Sequence, residues 1–231
     1  LAANLAESGF TGPETILEGE CGFLKVFCNE WDMDELTKGL GTSWVSSRLS
    51  MKRFACHTAA HTPVQAILDL RQNENLHASD IDSITIETGE KELRRHVIYD
   101  PADVMMAQYS VPFCVALALV YDPTDPRTFR DVDVKDKQIN ELINRIKLVP
   151  WSTSTRPTPI ASNTIIRTKD GRTLSIMVDD FKGTPDTPLS DTDLREKFLM
   201  LTKDYDASLM SQLFERLQSI ENEQTLDWLH T

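Results

Sequence analysis

With 231 residues, 40% of them apolar and 26% charged, the chain has the make-up of a soluble globular protein and the length to bury a sizeable core. Its net charge of −12 and sequence pI near 4.8 oppose phosphate backbones. Nucleic acid is therefore not expected as a partner, and any anionic substrate needs a local positive pocket.

No apolar run reaches the roughly 20 residues that span a bilayer, so no membrane association is expected. The longest run is Val111 to Tyr121. The N-terminus lacks the charged-then-apolar order of a secretory signal. Cys21, Cys28, Cys56 and Cys114 are widely spaced, with no CxxC. Reduced thiols in the cytoplasm or the mitochondrial matrix are the expected state.

The chain opens at Leu1 without methionine. Ala2, Leu5 and Ala6 read as the last turns of a helix stopped by Gly9, so further residues are expected upstream. The first forty residues read as short helices broken by Gly9, Gly12-Pro13, Gly19 and Gly39, with Pro13 opening a helix that ends near Glu18. Val45, Ser47 and Leu49 alternate with polar neighbours and predict a strand. Thr62-Pro63 predicts an N-cap and first helical residue, followed by Val64, Ile67 and Leu68 at helical spacing, with a stop near Asn73 or Asn75.

Ile84 and Ile86 alternate with Thr85 and Glu87, a strand pattern. Pro101 to Gln108 predicts a short helix. Ser110-Val111-Pro112 opens a second one, apolar nearly all round and therefore expected in the core. Asp136 to Asn144 predicts a helix, and Arg145 to Val149 a strand. Two alternating runs flank Asp170-Gly171, the composition of a tight hairpin. Leu174, Ile176 and Val178 would share one face. Ser190 to Asp193 resembles a capping box, and two amphipathic helices follow. The predicted fold class is α+β. Residues 1–43 are helical, 44–182 form a small α+β domain, and 183–231 are helical again. There is no internal repeat.

The chemistry concentrates in KRFACHTAAHTP, residues 52–63. It sets a lysine, a thiol and two imidazoles just before a helix start. A metal site would use Cys56, His57 and His61. However, the i, i+4 histidine spacing needs a helix, Pro63 starts that helix after His61, and no carboxylate lies in the segment. A Cys–His nucleophile pair is disfavoured because adjacent residues on an extended chain face opposite ways. The bland reading keeps Lys52 solvated, Cys56 in the core, and the histidines serving helix-end groups. The functional reading is an acid–base and anion-binding corner suited to a small polycarboxylate that exchanges a proton on carbon. No cofactor motif is present: neither GxGxxG, nor a P-loop, nor a serine-hydrolase elbow.

Five segments in order resemble the MmgE/PrpD family. They are LAESGFTGPETILEGECGFLKVF (5–27), KRFACHTAAHTPVQA (52–66), IDSITIET (81–88), AQYSVPFCVALAL (107–119), and the KDGRT hairpin with KGTPDTPLSDTDLREKF (182–198). The family includes 2-methylcitrate dehydratase, cis-aconitate decarboxylase and iminodisuccinate epimerase.

The resemblance covers the C-terminal half of such proteins. It implies that the flanking helices belong to a larger helical domain whose remainder lies upstream. It further implies a cofactor-independent lyase or isomerase of small di- or tricarboxylates, working as a homodimer. Lys52 and His57 fall on catalytic positions. His61, Tyr109 and Phe113 fall on substrate-binding positions. Relatives often carry an aromatic hydroxyl where this chain has Phe113, a departure that leaves dehydration, decarboxylation and epimerisation open. His77, His96 and His230 are expected at the surface. The alternative is a non-catalytic family member acting as a subunit or binding module.

Overall fold

The computed structural model describes residues 1–129, 134–153 and 155–230. Their contacts divide the chain into two units, Leu1–Ser47 and Arg48–Thr231.

The first unit holds three short helices, α1 (Ala2–Glu7), α2 (Phe23–Phe27) and α3 (Met33–Thr37). Gly9 follows α1 at φ 87°, the left-handed conformation that stops a helix without a Cβ penalty. The segment after Pro13 is a run of turns, not a helix. Its carbonyls are taken by the chain folding back: Thr15 O accepts from Gly19, Ile16 O from Phe23, and Leu17 O from Leu24. Val45–Arg48 is a 3-10 turn and not a strand. Among the described residues the strands lie between residues 81 and 178, and an alternating pattern does not make a strand without a ladder to join.

The second unit is α+β. It opens with α4 (His61–Glu74), which ends at Asn75 in the left-handed conformation, φ 49°. Strand β1 (Ile81–Thr88) leads into α5 (Glu90–Arg95). Next come α6 (Val104–Tyr109), α7 (Val111–Val120) and α8 (Lys137–Ile143). Strand β2 (Ile146–Pro150) precedes the hairpin β3 (Ser162–Thr168) and β4 (Thr173–Val178). The unit closes with α9 (Asp191–Leu201) and α10 (Ala207–Leu217).

The sheet order is β2-β1-β3-β4. β1 runs parallel to β2 and antiparallel to β3, which is antiparallel to β4. The parallel pair requires a crossover, and helices α5 to α8 supply it. Register places Ile84 beside Ile146 and Ile166, and Ile166 beside Leu174. Residues on this face alternate with polar ones, as a half-buried sheet demands. Helix α4 packs on β3 and β4, and α7 on β2 and α8. Val111 to Leu119 are all buried, so α7 is the central helix of the core.

Two local features depart from expectation. Helix α4 begins at His61, because a 3-10 turn over Thr58–Ala60 already points the chain into it. Pro63 then sits in the first turn, where its missing N–H leaves nothing unpaired. Helix α5 was not anticipated. Its signals are Gly89 before it, Glu90 and Glu92 in the first turn, and Arg94 and Arg95 in the last.

Candidate active site

The KRFACH segment is held from several sides. Met51 N–H donates to Gly183 O at 2.7 Å, and the Lys197 ammonium of α9 donates to the Lys52 carbonyl. Arg53 donates to Gln65 of α4 at 2.7 Å. The motif before α4 and the KGTPDTPLSDTDL segment of the far C-terminus are thus parts of one structure.

A helix leaves its last carbonyls without partners, and the end of α6 shows where they go. Ala107 O accepts from Ser110 N–H at 3.1 Å and from the Cys114 thiol at 3.4 Å. Gln108 O accepts from His57 N–H at 2.8 Å. Tyr109 O accepts from His96 Nδ1 at 3.1 Å. Gln108 Nε2 returns a bond to Ala55 O at 2.8 Å. Ser110 makes the sharp turn possible, accepting from Phe113 N–H and donating to Ile98 O. The AQYSVPF motif is a helix–helix corner that docks the KRFACH segment.

A cleft of about 220 Å³ opens at this junction, lined by Lys52, Ala55, Cys56, His57, Gln108 and Tyr109. Lys52 is exposed and His57 half-buried. The Tyr109 ring lies 4.9 Å from that of His57. His57 Nδ1 accepts from Ala59 N–H at 3.2 Å, capping the 3-10 turn. With that lone pair used, the neutral ring carries its proton on Nε2. Burial holds the pKa of His57 below its ordinary value, helped by His96, Lys52 and Lys91 and opposed by Glu92. The cleft therefore combines an exposed ammonium with a neutral imidazole N–H donor, a local positive field in an acidic protein.

The structure brings Lys52, His57 and Tyr109 together and seats His61 and Phe113 elsewhere. His61 is enclosed, its ring edge-on to Phe54 at 5.2 Å and Phe181 at 4.5 Å. Neither ring nitrogen has a partner. Phe113 is fully buried in α7 against Phe129. Neither residue lines the cleft. The reason is helical: position 61 starts the buried face of α4, and α7 has no exposed face at that level.

His77 is exposed as expected, and the side chain of His230 lies outside the described residues. His96 corrects the sequence reading. It is only 4% exposed, with its ring stacked on His57 at 4.1 Å. Its neighbours Arg95 and Val97 carry no motif, so the only sequence signal was the end of the overlooked helix α5. Cys56 and Cys114 are buried, and burial, followed by the contact with the Cys56 thiol, pushes the Cys114 pKa well up. This leaves Cys114 a protonated packing residue. Among the described residues, no three His, Cys, Asp or Glu side chains gather to hold a metal.

Comparison with known proteins places these features in a family. Residues 54–219 match the MmgE/PrpD C-terminal domain. The cis-aconitate decarboxylase-like protein oryM of Aspergillus oryzae is 26% identical over 239 residues, covering 95% of this chain and 48% of that protein. The chain spans about half the length of this relative.

Proposed function

Because the chain belongs to the MmgE/PrpD family, we propose that its cleft is one wall of the active site of a cofactor-independent lyase or isomerase for small di- or tricarboxylates. The observation that carries this reading is the pairing of Lys52 with the Nε2–H of a neutral His57 on one cleft.

The Lys52 ammonium pairs with a substrate carboxylate. In dehydration or epimerisation a base outside the residues of this cleft takes the proton from the carbon next to a carboxylate, in decarboxylation the electron pair of the breaking C–C bond stays on the substrate, and in each case negative charge develops on oxygen. His57 donates its Nε2–H to that charge, which is where a fixed donor lowers a barrier. In this geometry His57 is an electrophilic donor, since its other nitrogen is committed to Ala59. The Tyr109 hydroxyl, on a ring beside His57, orients the substrate. Expulsion of hydroxide, protonated to water, completes dehydration; return of the proton to the opposite face completes epimerisation; and uptake of a proton at carbon after carbon dioxide leaves completes decarboxylation. A cis-aconitate decarboxylase-like relative favours decarboxylation among these.

The test is turnover of a carboxylate panel that includes cis-aconitate and 2-methylcitrate, using protein that carries the full active site. Lys52→Ala and His57→Ala are each expected to lower kcat/KM by about 10²-fold or more with folding intact. Near-wild-type rates from both would overturn the assignment.

A second reading rests on the first unit, where Phe10, Phe27, Leu40 and Trp44 are each more than two-thirds exposed. Such apolar exposure supports a binding module for a helical polypeptide. Stoichiometric binding of such a partner, with no turnover of any carboxylate, would favour it.

A further inference from the structure

His57 sits between two groups that impose opposite demands on imidazoles. Its own Nδ1 accepts from the Ala59 amide, so its proton is on Nε2. The ring stacked on it, His96, has Nδ1 at 3.1 Å from the Tyr109 carbonyl oxygen. A carbonyl only accepts, so His96 carries its proton on Nδ1. The two rings lie 4.1 Å apart at 28°, in opposite tautomers.

His96 is also pinned by its backbone. Its N–H donates to Glu92 O at 2.9 Å, and its carbonyl accepts from Val111 N–H at 3.0 Å. The first bond closes α5 and the second reaches the start of α7. These bonds hold the main chain, and the Nδ1 bond to the Tyr109 carbonyl holds the ring. The ring is a fixed platform, built from the same helix corner that docks the KRFACH segment.

We propose that His96 is a positioning residue for His57: anchored on the Tyr109 carbonyl, its ring fixes the plane of the stacked His57 ring and so aims the His57 Nε2–H into the cleft. The proposal rests on the reading that His57 acts on substrate. The charged groups facing His57 agree with it. His96, Lys52 and Lys91 oppose a cation at His57, and Glu92 favours one. Glu92 is engaged by Arg156 at 3.2 Å, which tempers its pull. Of these charges, His96 has the largest effect, second only to burial. Tyr109 completes the stack, 6.0 Å from His96.

The experiment is a pH titration by NMR of the full chain with isotope-labelled histidine, in the wild type, His96→Phe and His96→Asn. In the wild type, His57 is expected to titrate below 6.5, to be protonated on Nε2 when neutral, and to show a direct ring–ring contact with His96. His96→Phe keeps the stacked ring and removes both ring nitrogens and the bond to Tyr109. His96→Asn keeps an N–H for Tyr109 and removes the ring. The His57 midpoint is expected to rise in both.

A midpoint that stays at the wild-type value in both variants overturns the proposal. Should neither variant fold, the wild-type spectrum still decides: a His57 proton on Nδ1, or no contact between the rings, overturns it. In active protein, His96→Phe is expected to lower kcat more than it changes KM. The acid limb of the rate profile should also move to higher pH, because a cationic His57 forms sooner. A shifted midpoint alongside unimpaired Lys52→Ala and His57→Ala enzymes would support the positioning role and overturn the proposed function. An unshifted midpoint alongside crippled enzymes would do the reverse.

Discussion

At the scale of single residues, His61 shows how a motif position can serve the core. Burial, followed by the charges of Lys52, His57 and Lys197, lowers its pKa from 6.5 to about 3. The unfolded chain therefore binds a proton that the folded one refuses between those values. Stability from this group is complete above 6.5 and is lost as pH falls toward 3, at up to about 1.4 kcal/mol per pH unit. Two unpaired buried nitrogens also cost stability at neutral pH. His61→Phe keeps the aromatic contacts with Phe54 and Phe181 and removes both nitrogens. It is expected to stabilise the fold by about 1–3 kcal/mol at pH 7 and to flatten the pH dependence. Urea unfolding at pH 7 and pH 5 checks this, and a destabilised variant with the wild-type slope would contradict it.

At the scale of elements, the site depends on junctions. Gly183 has φ 119°, and a Cβ there would lie 2.1 Å from Met51 O. Only glycine lets this loop approach the backbone beside Lys52 and accept the Met51 N–H. Gly183→Ala combines an unfavourable φ, worth about 1–3 kcal/mol, with a backbone clash. The expected result is a loss of at least about 2 kcal/mol in urea unfolding, together with a raised KM, because the segment carrying Lys52 loosens. An alanine variant that matches the wild type in both would show that the brace is dispensable. The corner between α6 and α7 works in the same way: three carbonyls that a helix end leaves over become the anchors for Cys114, His57 and His96.

At the scale of the whole molecule, ion pairs tie the C-terminal helices to the loop after α7. Arg127 pairs with Asp125 at 2.9 Å and Asp204 at 3.0 Å, and Lys203 reaches Asp125 at 2.9 Å. Burial raises the Asp125 pKa, but bonds from Lys203 and Arg127 outweigh it and bring the value to about 2. Lys182 and Ser190 likewise hold Asp193 at about 2. Depressed carboxylates stabilise above their unfolded pKa of 3.8 and lose that contribution as pH falls toward 2. His57 and His61 act in a higher window, below 6.5. Acid unfolding is therefore expected in two stages, a decline beginning near pH 6.5 and a steeper one below pH 4. Urea midpoints measured from pH 7.5 down to 2.5 test this, and a flat profile down to pH 4 would refute the histidine stage.

Residue patterns alone identified α1, α4, α6 to α10 and the four described strands, because capping, periodicity and turn chemistry act over a few residues. Ser110, Asp136 and Ser190 cap the helices that their positions announced, and Gly171 turns the hairpin at φ 88°. The α+β class followed from the same local signals, and the family from five ordered segments that resemble it. Pattern failed where a segment needed a distant partner: Val45–Arg48 alternates like a strand but has none to pair with. Only the tertiary structure decided the sheet order, the burial of His61 and Phe113, and the stacking of His96 on His57. Each depends on which surfaces meet after long stretches of chain have closed. The resemblance named Lys52, His57 and Tyr109 without their geometry, and the fold brings the three to one cleft by delivering the end of a short helix to the KRFACH corner.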